Sequence, residues 1–465
     1  MQLHFYDAIT AGKTSVEGQV VRFDSAWFAD GQEPVVSSTA VKLRDDLFID
    51  PANFENSELY DMPLCSGIDE YQWSRQITGL FAQSDCLHIG LGSSVGYDPY
   101  IRNTLYRNLA DHPNTCLPRQ SSNIDLATVI RAVHLLRPDS LPWDFGTSVG
   151  SDMQIRSRLM WDVMKDGENR ALRIKCLMGE LMEKSGRLVQ FAMANASPER
   201  IKDALGFEQG AVSDLAAIKP CFVTHQTIPN ARRAGLFMPV AVDIAYPDII
   251  YLADLECDLS DLCDPDYPSL EKLVRHTPDQ PHLPLVRLNL SRMPFVAPMG
   301  VVRPDDGKRL SIDLARVNSN VEQLRTATAV ALRLLDEPIM GSTSMPADVD
   351  YRMLSGEYGE ADIQLLRTLH DLDFAHWMDT LAKAHDNRLL ELARRLILRH
   401  RPHHLTESEQ KAWRMRVRNK VVGGSFTPDR MEVVLKQAED NARAFPTARG
   451  VADLAERLRR ILGDR

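Results

Sequence analysis

Apolar and polar residues repeat with two different periods in the first part of the chain. Segments 3–9, 19–28 and 86–91 have the short apolar or alternating pattern of β-strands. Apolar residues at helical spacing occupy segments 69–82, 100–109, 124–136, 153–163 and 170–193. Strands followed by helices predict an α/β domain with a mixed sheet, which we place at residues 1–206.

The pattern changes after residue 206. Segments 220–226, 236–242, 248–254 and 285–289 are β-like, and helical patterns at 269–276 and 313–335 accompany them. We predict a small β-rich, barrel-like domain with helical insertions at residues 207–345. A turn-rich linker at 341–350 leads into a third, all-helical domain at residues 346–465.

Charge is distributed unevenly along the 465 residues. The chain has 54 Lys+Arg and 64 Asp+Glu, a net charge of −10, which argues against a surface broadly coated with nucleic acid. Segment 386–420 departs from this average, with ten Lys/Arg and four Asp/Glu, a local net of +6. For a lone run of charge we favour a solvated helical face, and the alternative is one wall of a nucleic-acid channel. The candidate nucleic-acid-binding residues are Arg388, Arg395, Arg399, Arg401, Arg414 and Arg418.

Targeting, disulfide and zinc signals are all missing from the sequence. No stretch approaches the ~20 apolar residues of a membrane helix, and the first residues lack the pattern of a signal peptide. The seven cysteines form no C-x-x-C pair, so neither a disulfide framework nor a zinc site is indicated. We therefore expect a cytoplasmic protein with no membrane partner.

Segments spread over nearly the whole chain, in order, resemble the bacterial exodeoxyribonuclease I family. These DEDD-type enzymes degrade single-stranded DNA from its 3′ end. The resemblance implies a ribonuclease H-like exonuclease domain, an SH3-like domain and a helical domain that form a C shape around the DNA. The matching segments are 6–12, 96–108, 125–139, 219–220, 284–294, 302–306, 350–356 and 386–402.

The first two acidic motifs of the family are only partly present. Its first strand supplies Asp-x-Glu, because residues two apart lie on one face of a strand and together hold catalytic cations. Here Asp7 is kept, but Ile9 replaces the second acid. The second motif places Asp98 at the next acidic position, whereas a one-residue slip places Tyr97 there.

The last catalytic motif of the family, His-x-x-x-x-Asp, is lost. The best match puts Asp166 at the position of the histidine, which is the general base, and Ala171 at that of the aspartate. Glu168 or Asp162 are possible substitutes. At most two of four carboxylates remain, so we predict a pseudo-nuclease with no cofactor. Mg²⁺ or Mn²⁺ would be needed only by an active site.

A second site of the family is better kept. Exodeoxyribonuclease I binds the acidic, phenylalanine-ended tail of single-stranded-DNA-binding protein on a ridge of basic residues, and such a ridge captures carboxylates. Pro298 replaces a polar ridge residue. By resemblance, the residues that would bind the partner peptide are Arg137, Phe191, Lys219, Arg303 and Arg325.

Three functional hypotheses follow. The first is a non-catalytic adaptor that binds single-stranded DNA, the tail of single-stranded-DNA-binding protein, or both. The second is an active metal-dependent 3′–5′ exonuclease with displaced carboxylates. The third is a scaffold subunit of a defence or mobile-element assembly, which would have further protein partners.

Overall fold

The computed structural model describes residues 2–54, 58–83, 85–110, 122–146, 148–161, 168–206, 218–243, 246–327 and 346–463. Two sheets and a group of helices follow one another along the chain, as the sequence predicts. None of the helices in the described residues is both long enough and apolar enough to cross a bilayer.

The first sheet has five strands in the order β3-β2-β1-β4-β5. Strand β1 is antiparallel to β2 on one side and parallel to β4 on the other. The central position of β1 explains why most of its residues are buried. The strands are β1 (Gln2–Ala11), β2 (Gln19–Phe28), β3 (Val35–Ala40), β4 (Cys86–Gly90) and β5 (Ser122–Asp125).

Helices cover both faces of this sheet. They are α1 (Glu70–Phe81), α2 (Asp98–Arg107), α3 (Leu126–Leu136), α4 (Asp152–Leu159), α5 (Arg170–Ala194) and α6 (Pro198–Leu205). Tyr6 and Ala8 of β1 lie in an apolar cluster with residues of α1 and α2, whereas Phe5 lies in the cluster that contains α3 and α5. Successive β1 side chains therefore point to different helical layers.

The second sheet has six strands in the order β11-β6-β7-β8-β10-β9. Its strands are β6 (Cys221–Thr224), β7 (Ala234–Val242), β8 (Ile249–Asp254), β9 (Val274–Arg275), β10 (Leu285–Asn289) and β11 (Phe295–Pro298). The helices of this region are α7 (Ser260–Cys263), α8 (Pro304–Leu310) and α9 (Leu314–Thr326). The helix expected at 269–276 is instead one 3₁₀ turn, Leu270–Leu273, followed by β9, because Val274 and Arg275 pair with β10.

The last part of the chain is helical. Its helices are α10 (Glu360–Leu369), α11 (Trp377–Leu381), α12 (Asn387–His400), α13 (Glu407–Val421), α14 (Pro428–Ala444) and α15 (Arg449–Gly463). Apolar residues of α13, α14 and α15 form one cluster with segment 43–64 and with Ile9 of β1. The helical region therefore packs directly on the end of the first sheet that carries the predicted acidic motif.

Candidate functional site

Asp7 is fully buried and is bound by an arginine. It lies in the middle of β1, directly opposite Asp24 of β2. Arg156 of α4 donates from Nε to Asp7 Oδ1 at 3.1 Å and from Nη2 to Oδ2 at 2.8 Å. Helix α4 presents Arg156 inward because its buried face, at helical spacing, consists of Asp152, Ile155, Arg156 and Leu159. Both oxygens of the retained acid are thus engaged by one guanidinium group.

Arg170 and Glu58 complete a four-residue ion-pair cluster around Asp7. Arg170 Nη1 lies 3.5 Å from Asp7 Oδ2 and 3.4 Å from Glu58 Oε2, and Arg156 Nη1 lies 3.3 Å from Glu58 Oε1. Asp24 fixes the start of α5 by accepting from the Arg170 backbone N–H at 3.0 Å. Burial lowers the pKa of Arg156, but Asp7 and Glu58 outweigh it and hold that pKa above its ordinary value.

Asp98 does not share this cluster. It is the first residue of α2, and its Oδ1 accepts from the hydroxyl of Tyr6 at 3.1 Å. Tyr6 and Asp7 are adjacent in β1, so their side chains point to opposite faces of the sheet. Burial raises the pKa of Asp98 to about 6. The two acids kept in the sequence therefore bind groups on different faces of β1.

Tyr97, rather than Asp98, lies beside the arginine of the Asp7 cluster. The Arg156 guanidinium is 5.9 Å from the centre of the Tyr97 ring. The Tyr97 hydroxyl donates to the Tyr6 carbonyl at 2.9 Å and accepts from the Leu91 backbone N–H at 3.2 Å. The Tyr97 phenol, held by backbone groups, thus lies beside the Asp7 cluster. A one-residue slip of the second motif predicts Tyr97 at this position.

The remaining predicted catalytic positions are apolar or lie elsewhere. Ile9 is buried in the cluster formed with segment 43–64 and the C-terminal helices, which is the apolar packing expected of it. Ala171 is fully buried in the main core. Asp162 and Asp166 lie outside the described residues. Glu168 is exposed, and its backbone carbonyl accepts from Arg22 at 3.0 Å.

These residues do not fit a divalent cation. Mg²⁺ and Mn²⁺ need several carboxylate or carbonyl oxygens with room for water. The carboxylate of Asp7 is instead occupied by Arg156, and its neighbour Arg170 adds a second positive charge. Within the ranges that the structure describes, no three His, Cys, Asp or Glu side chains converge as a metal site.

Two parts of the chain match family models, and curated relatives cover most of its length. Residues 210–336 match the exonuclease I SH3-like domain, and residues 347–446 match the exonuclease I C-terminal domain. Exodeoxyribonuclease I of Haemophilus influenzae is 22% identical over 375 residues, covering 76% of each chain. That of Escherichia coli is 21% identical over 411 residues, covering 84% of each. The chain belongs to the exodeoxyribonuclease I family.

Solved structures of exonuclease I confirm the predicted fold class. The Escherichia coli enzyme in complex with a dA13 oligonucleotide superposes with a TM-score of 0.78 at 18% identity, covering 100% of this chain and 99% of that one. A structure of SSB/exonuclease I with an inhibitor has the same TM-score and covers 99% of both chains. The α/β exonuclease-like, SH3-like and helical parts of the family are therefore all present here.

Two of the ridge residues predicted from the exodeoxyribonuclease I family meet at one carboxylate. Arg137 donates from Nη1 to Asp306 Oδ2 at 2.8 Å, and the Arg303 backbone N–H donates to the same oxygen at 3.0 Å. Arg137 Nη2 also donates to the Val301 carbonyl at 3.1 Å. The side chain of Arg303 is exposed, whereas that of Arg137 is largely occupied by these contacts.

The other predicted ridge residues, Lys219, Phe191 and Arg325, lie apart from the Asp306 contact that joins Arg137 and Arg303. Lys219 is exposed and precedes Pro220, whose carbonyl accepts from the Met299 N–H at 3.1 Å. Phe191 is half-buried with its ring 6.2 Å from that of Phe295 in β11. Arg325 pairs with Glu322 on its own helix at 2.9 Å. Arg303 and Lys219 are therefore the exposed cations beside the 298–303 turn.

Three of the six arginines predicted for the DNA channel of this family member are largely buried in ion pairs. Arg388 binds Asp386 at 2.6 Å, Arg395 binds Asp348 at 2.6 Å and Asp350 at 2.8 Å, and Arg399 binds Asp46 at 2.9 Å. Arg418 is half-buried, and its guanidinium lies 5.6 Å from the Phe426 ring. Arg401 and Arg414 have exposed side chains.

Sequence reasoning missed Arg156, Arg170 and Glu58. One signal for the arginines was present, because each lies three or four residues before a buried apolar residue of its helix, Leu159 and Ile174. A charged residue on the buried side of a helix needs a partner. Glu58 gave no signal, since it lies in an irregular segment.

Proposed function

We propose that this chain is a non-catalytic exodeoxyribonuclease I-like protein that binds single-stranded DNA and the acidic tail of single-stranded-DNA-binding protein without cutting DNA. The observation that carries the proposal is the two-point contact of Arg156 with both oxygens of Asp7. A catalytic carboxylate of this fold has to be open to cations, and this one is fully buried.

Exchange of the arginine for a metal ion is unfavourable for a physical reason. A cation that took the Asp7 oxygens would leave Arg156 buried without its main partner. Breaking a buried ion pair costs about 3–5 kcal/mol, because an uncompensated charge remains. Arg156 is tethered to α4, so its effective concentration at Asp7 is fixed by the fold. The occupancy of a divalent cation, in contrast, depends on its concentration in solution.

The DNA-binding part of the proposal is supported by the fold and by two exposed cations. Proteins of the same fold have been solved with oligonucleotides. Arg401 and Arg414 have exposed side chains on the helical domain and belong to the +6 segment. Phosphate contacts by such side chains give affinity that does not depend on catalysis.

The tail-binding part rests on Arg303 and Lys219. Both side chains are exposed and flank the 298–303 turn, where Asp306 anchors Arg137 and the Arg303 backbone. Guanidinium and ammonium groups presented on such a rigid turn suit a terminal carboxylate and flanking aspartates. Arg137 holds the turn through Asp306 and the Val301 carbonyl, and its contact with the peptide stays a prediction.

A paired measurement tests the proposal. The intact protein is titrated into a 3′-labelled single-stranded oligonucleotide in EDTA and again in Mg²⁺, with anisotropy as the readout of binding. The same samples are then resolved by denaturing electrophoresis. We expect equal affinity in both buffers and a full-length label in both. Binding that requires Mg²⁺ contradicts the proposal, as does shortening of the label.

A further inference from the structure

The ion-pair cluster around Asp7 has a tightly held inner layer and a loosely held outer layer. Arg156 holds Asp7 at 2.8 and 3.1 Å, within the range of charge-assisted hydrogen bonds. The contacts of Glu58 with Arg156 and Arg170 are 3.3 and 3.4 Å, near the limit for hydrogen bonding. Glu58 is thus the weaker partner of the two arginines.

Exposure separates the same two layers. The side chains of Asp7, Arg156 and Arg170 are 0%, 3% and 5% exposed, whereas that of Glu58 is 28% exposed. Within the described ranges, these two long contacts are the only ones that the Glu58 carboxylate makes. Removal of Glu58 would therefore open the outer side of both guanidinium groups to solvent while Asp7 stays covered.

Charge counting shows what kind of ligand this opening accepts. With Asp7 retained, Arg156 and Arg170 leave one uncompensated positive charge when Glu58 is displaced. Among the residues that the structure describes, Arg170 also makes only long side-chain contacts, at 3.4 and 3.5 Å, so its planar fork of donors is incompletely used. A tetrahedral oxyanion with several acceptor oxygens matches two adjacent guanidinium groups better than one carboxylate does.

We propose that Arg156 and Arg170 form a binding site for a phosphoryl group, and that Glu58 fills this site in the free protein as a displaceable internal anion. The phosphoryl group is either free inorganic phosphate or the terminal phosphate of a DNA strand. The second source rests on the proposed function, because the strand must enter the channel. The former metal position is thereby converted from binding cations to binding an anion.

Phosphate binding tests the site itself. Inorganic phosphate is titrated calorimetrically into the wild type, Glu58→Gln and Glu180→Gln at constant ionic strength set with chloride. Glu180 is the matched control, because it pairs with Arg173 of the same helix at 3.3 Å and is similarly solvent-accessible. We expect Glu58→Gln to bind phosphate about tenfold more tightly than the wild type. We expect Glu180→Gln to bind like the wild type.

A second variant keeps the test falsifiable and locates the site. Arg170→Gln in the Glu58→Gln background should lose the tenfold gain, whereas Arg173→Gln in that background should keep it. Equal phosphate affinities for the wild type, Glu58→Gln and Glu180→Gln would overturn the proposal. A gain that survives Arg170→Gln would overturn it too, provided that circular dichroism shows a folded protein.

Oligonucleotides distinguish the two sources of the phosphoryl group. Glu58→Gln is titrated with one sequence carrying a 3′-phosphate, a 5′-phosphate or neither. A selective gain for the 3′-phosphate assigns a strand terminus, and equal binding of all three assigns free phosphate. If no oligonucleotide binds but inorganic phosphate does, the proposed function fails and the anion site stands. If oligonucleotides bind uncut and Glu58→Gln does not change the affinity for phosphate, the anion site fails and the proposed function stands.

Discussion

Arg156 holds Asp7 through two parallel hydrogen bonds, from Nε to Oδ1 at 3.1 Å and from Nη2 to Oδ2 at 2.8 Å, with both side chains buried. This geometry is the side-on pairing that gives arginine–carboxylate contacts their specificity. It also makes each residue depend on the other, because neither charge has access to water.

Removal of Arg156 should destabilise the protein strongly without restoring nuclease activity. Arg156→Ala leaves Asp7 buried with Arg170, 3.5 Å away, as its one remaining ion-pair partner in the described part of the chain, so we expect the free energy of unfolding to fall by about 3–5 kcal/mol. Urea denaturation measures this. Arg158→Ala is the control, since Arg158 is exposed on the same helix over the Phe145 ring, and it should cost about 1 kcal/mol or less. Similar losses for both variants would mean that the buried ion pair stabilises the protein no more than the exposed Arg158 does.

Restoring the second acid of the first motif should fail. Ile9→Glu re-creates Asp-x-Glu but buries a carboxylate among Leu43, Leu47 and Val421. We expect a loss of at least ~2 kcal/mol in unfolding free energy and no cleavage of labelled DNA. Ile9→Val, which keeps the apolar contact, should lose about 1 kcal/mol. Cleavage by Ile9→Glu would show that Asp7 is available to cations after all.

The basic segment of the helical domain should divide into two functional groups. Arg401→Ala and Arg414→Ala remove exposed charges, so each should weaken oligonucleotide binding and reduce the salt slope by about 0.7 per lost phosphate contact. Arg395→Ala should instead reduce stability by about 1–3 kcal/mol, because Asp348 and Asp350 lose a largely buried partner while Arg416 stays bound to Asp348 at 2.6 Å. Binding titrations at several salt concentrations, with thermal unfolding, separate the two groups. A salt slope that Arg401→Ala and Arg414→Ala leave unchanged would place the DNA elsewhere.

A buried histidine pair should make the first domain sensitive to acid. His4 Nδ1 lies 2.7 Å from His88 Nδ1, and His4 Nε2 lies 3.0 Å from the Ser25 hydroxyl. Burial lowers the pKa of His88 to about 3 and that of His4 well below its ordinary value. The unfolded chain therefore binds protons below about pH 6.5 that the folded chain does not, so stability falls as pH falls from 6.5.

The histidine effect is measured as a difference between variants. Each such histidine contributes up to ~1.4 kcal/mol per pH unit between pH 6 and 4. His88→Asn has one fewer buried histidine, so its unfolding free energy should fall less steeply than that of the wild type as the pH is lowered from 6 to 4. Parallel pH profiles for the two proteins would show that His88 is protonated in the folded state.

Strands, most helices and the apolar role of Ile9 could be predicted from the sequence, because short-range periodicity decides them. The prediction of a short helix at 269–276 was wrong, since pairing of Val274 and Arg275 with β10 overrides local helical preference. Hydrophobic periodicity is local, whereas strand pairing depends on residues far apart in the sequence.

The candidate site was harder to predict than the fold. Loss of the acidic motifs is readable from Ile9 and Ala171, but their replacement by an ion pair is not. Arg156 and Asp7 are 149 residues apart, and only the tertiary structure brings them together. The same holds for Arg399, whose partner Asp46 is 353 residues away, so a basic helix that predicts a DNA surface is partly an interface inside the protein.

Digestion of 3′-labelled single-stranded DNA in Mg²⁺ or Mn²⁺ decides whether Asp7 takes part in catalysis. We expect the wild type and Asp7→Ala to release no labelled nucleotide, while anisotropy on the same wild-type sample reports bound DNA. Release of nucleotides by the wild type that Asp7→Ala abolishes would contradict this expectation, because Asp7 would then act in catalysis instead of pairing with Arg156.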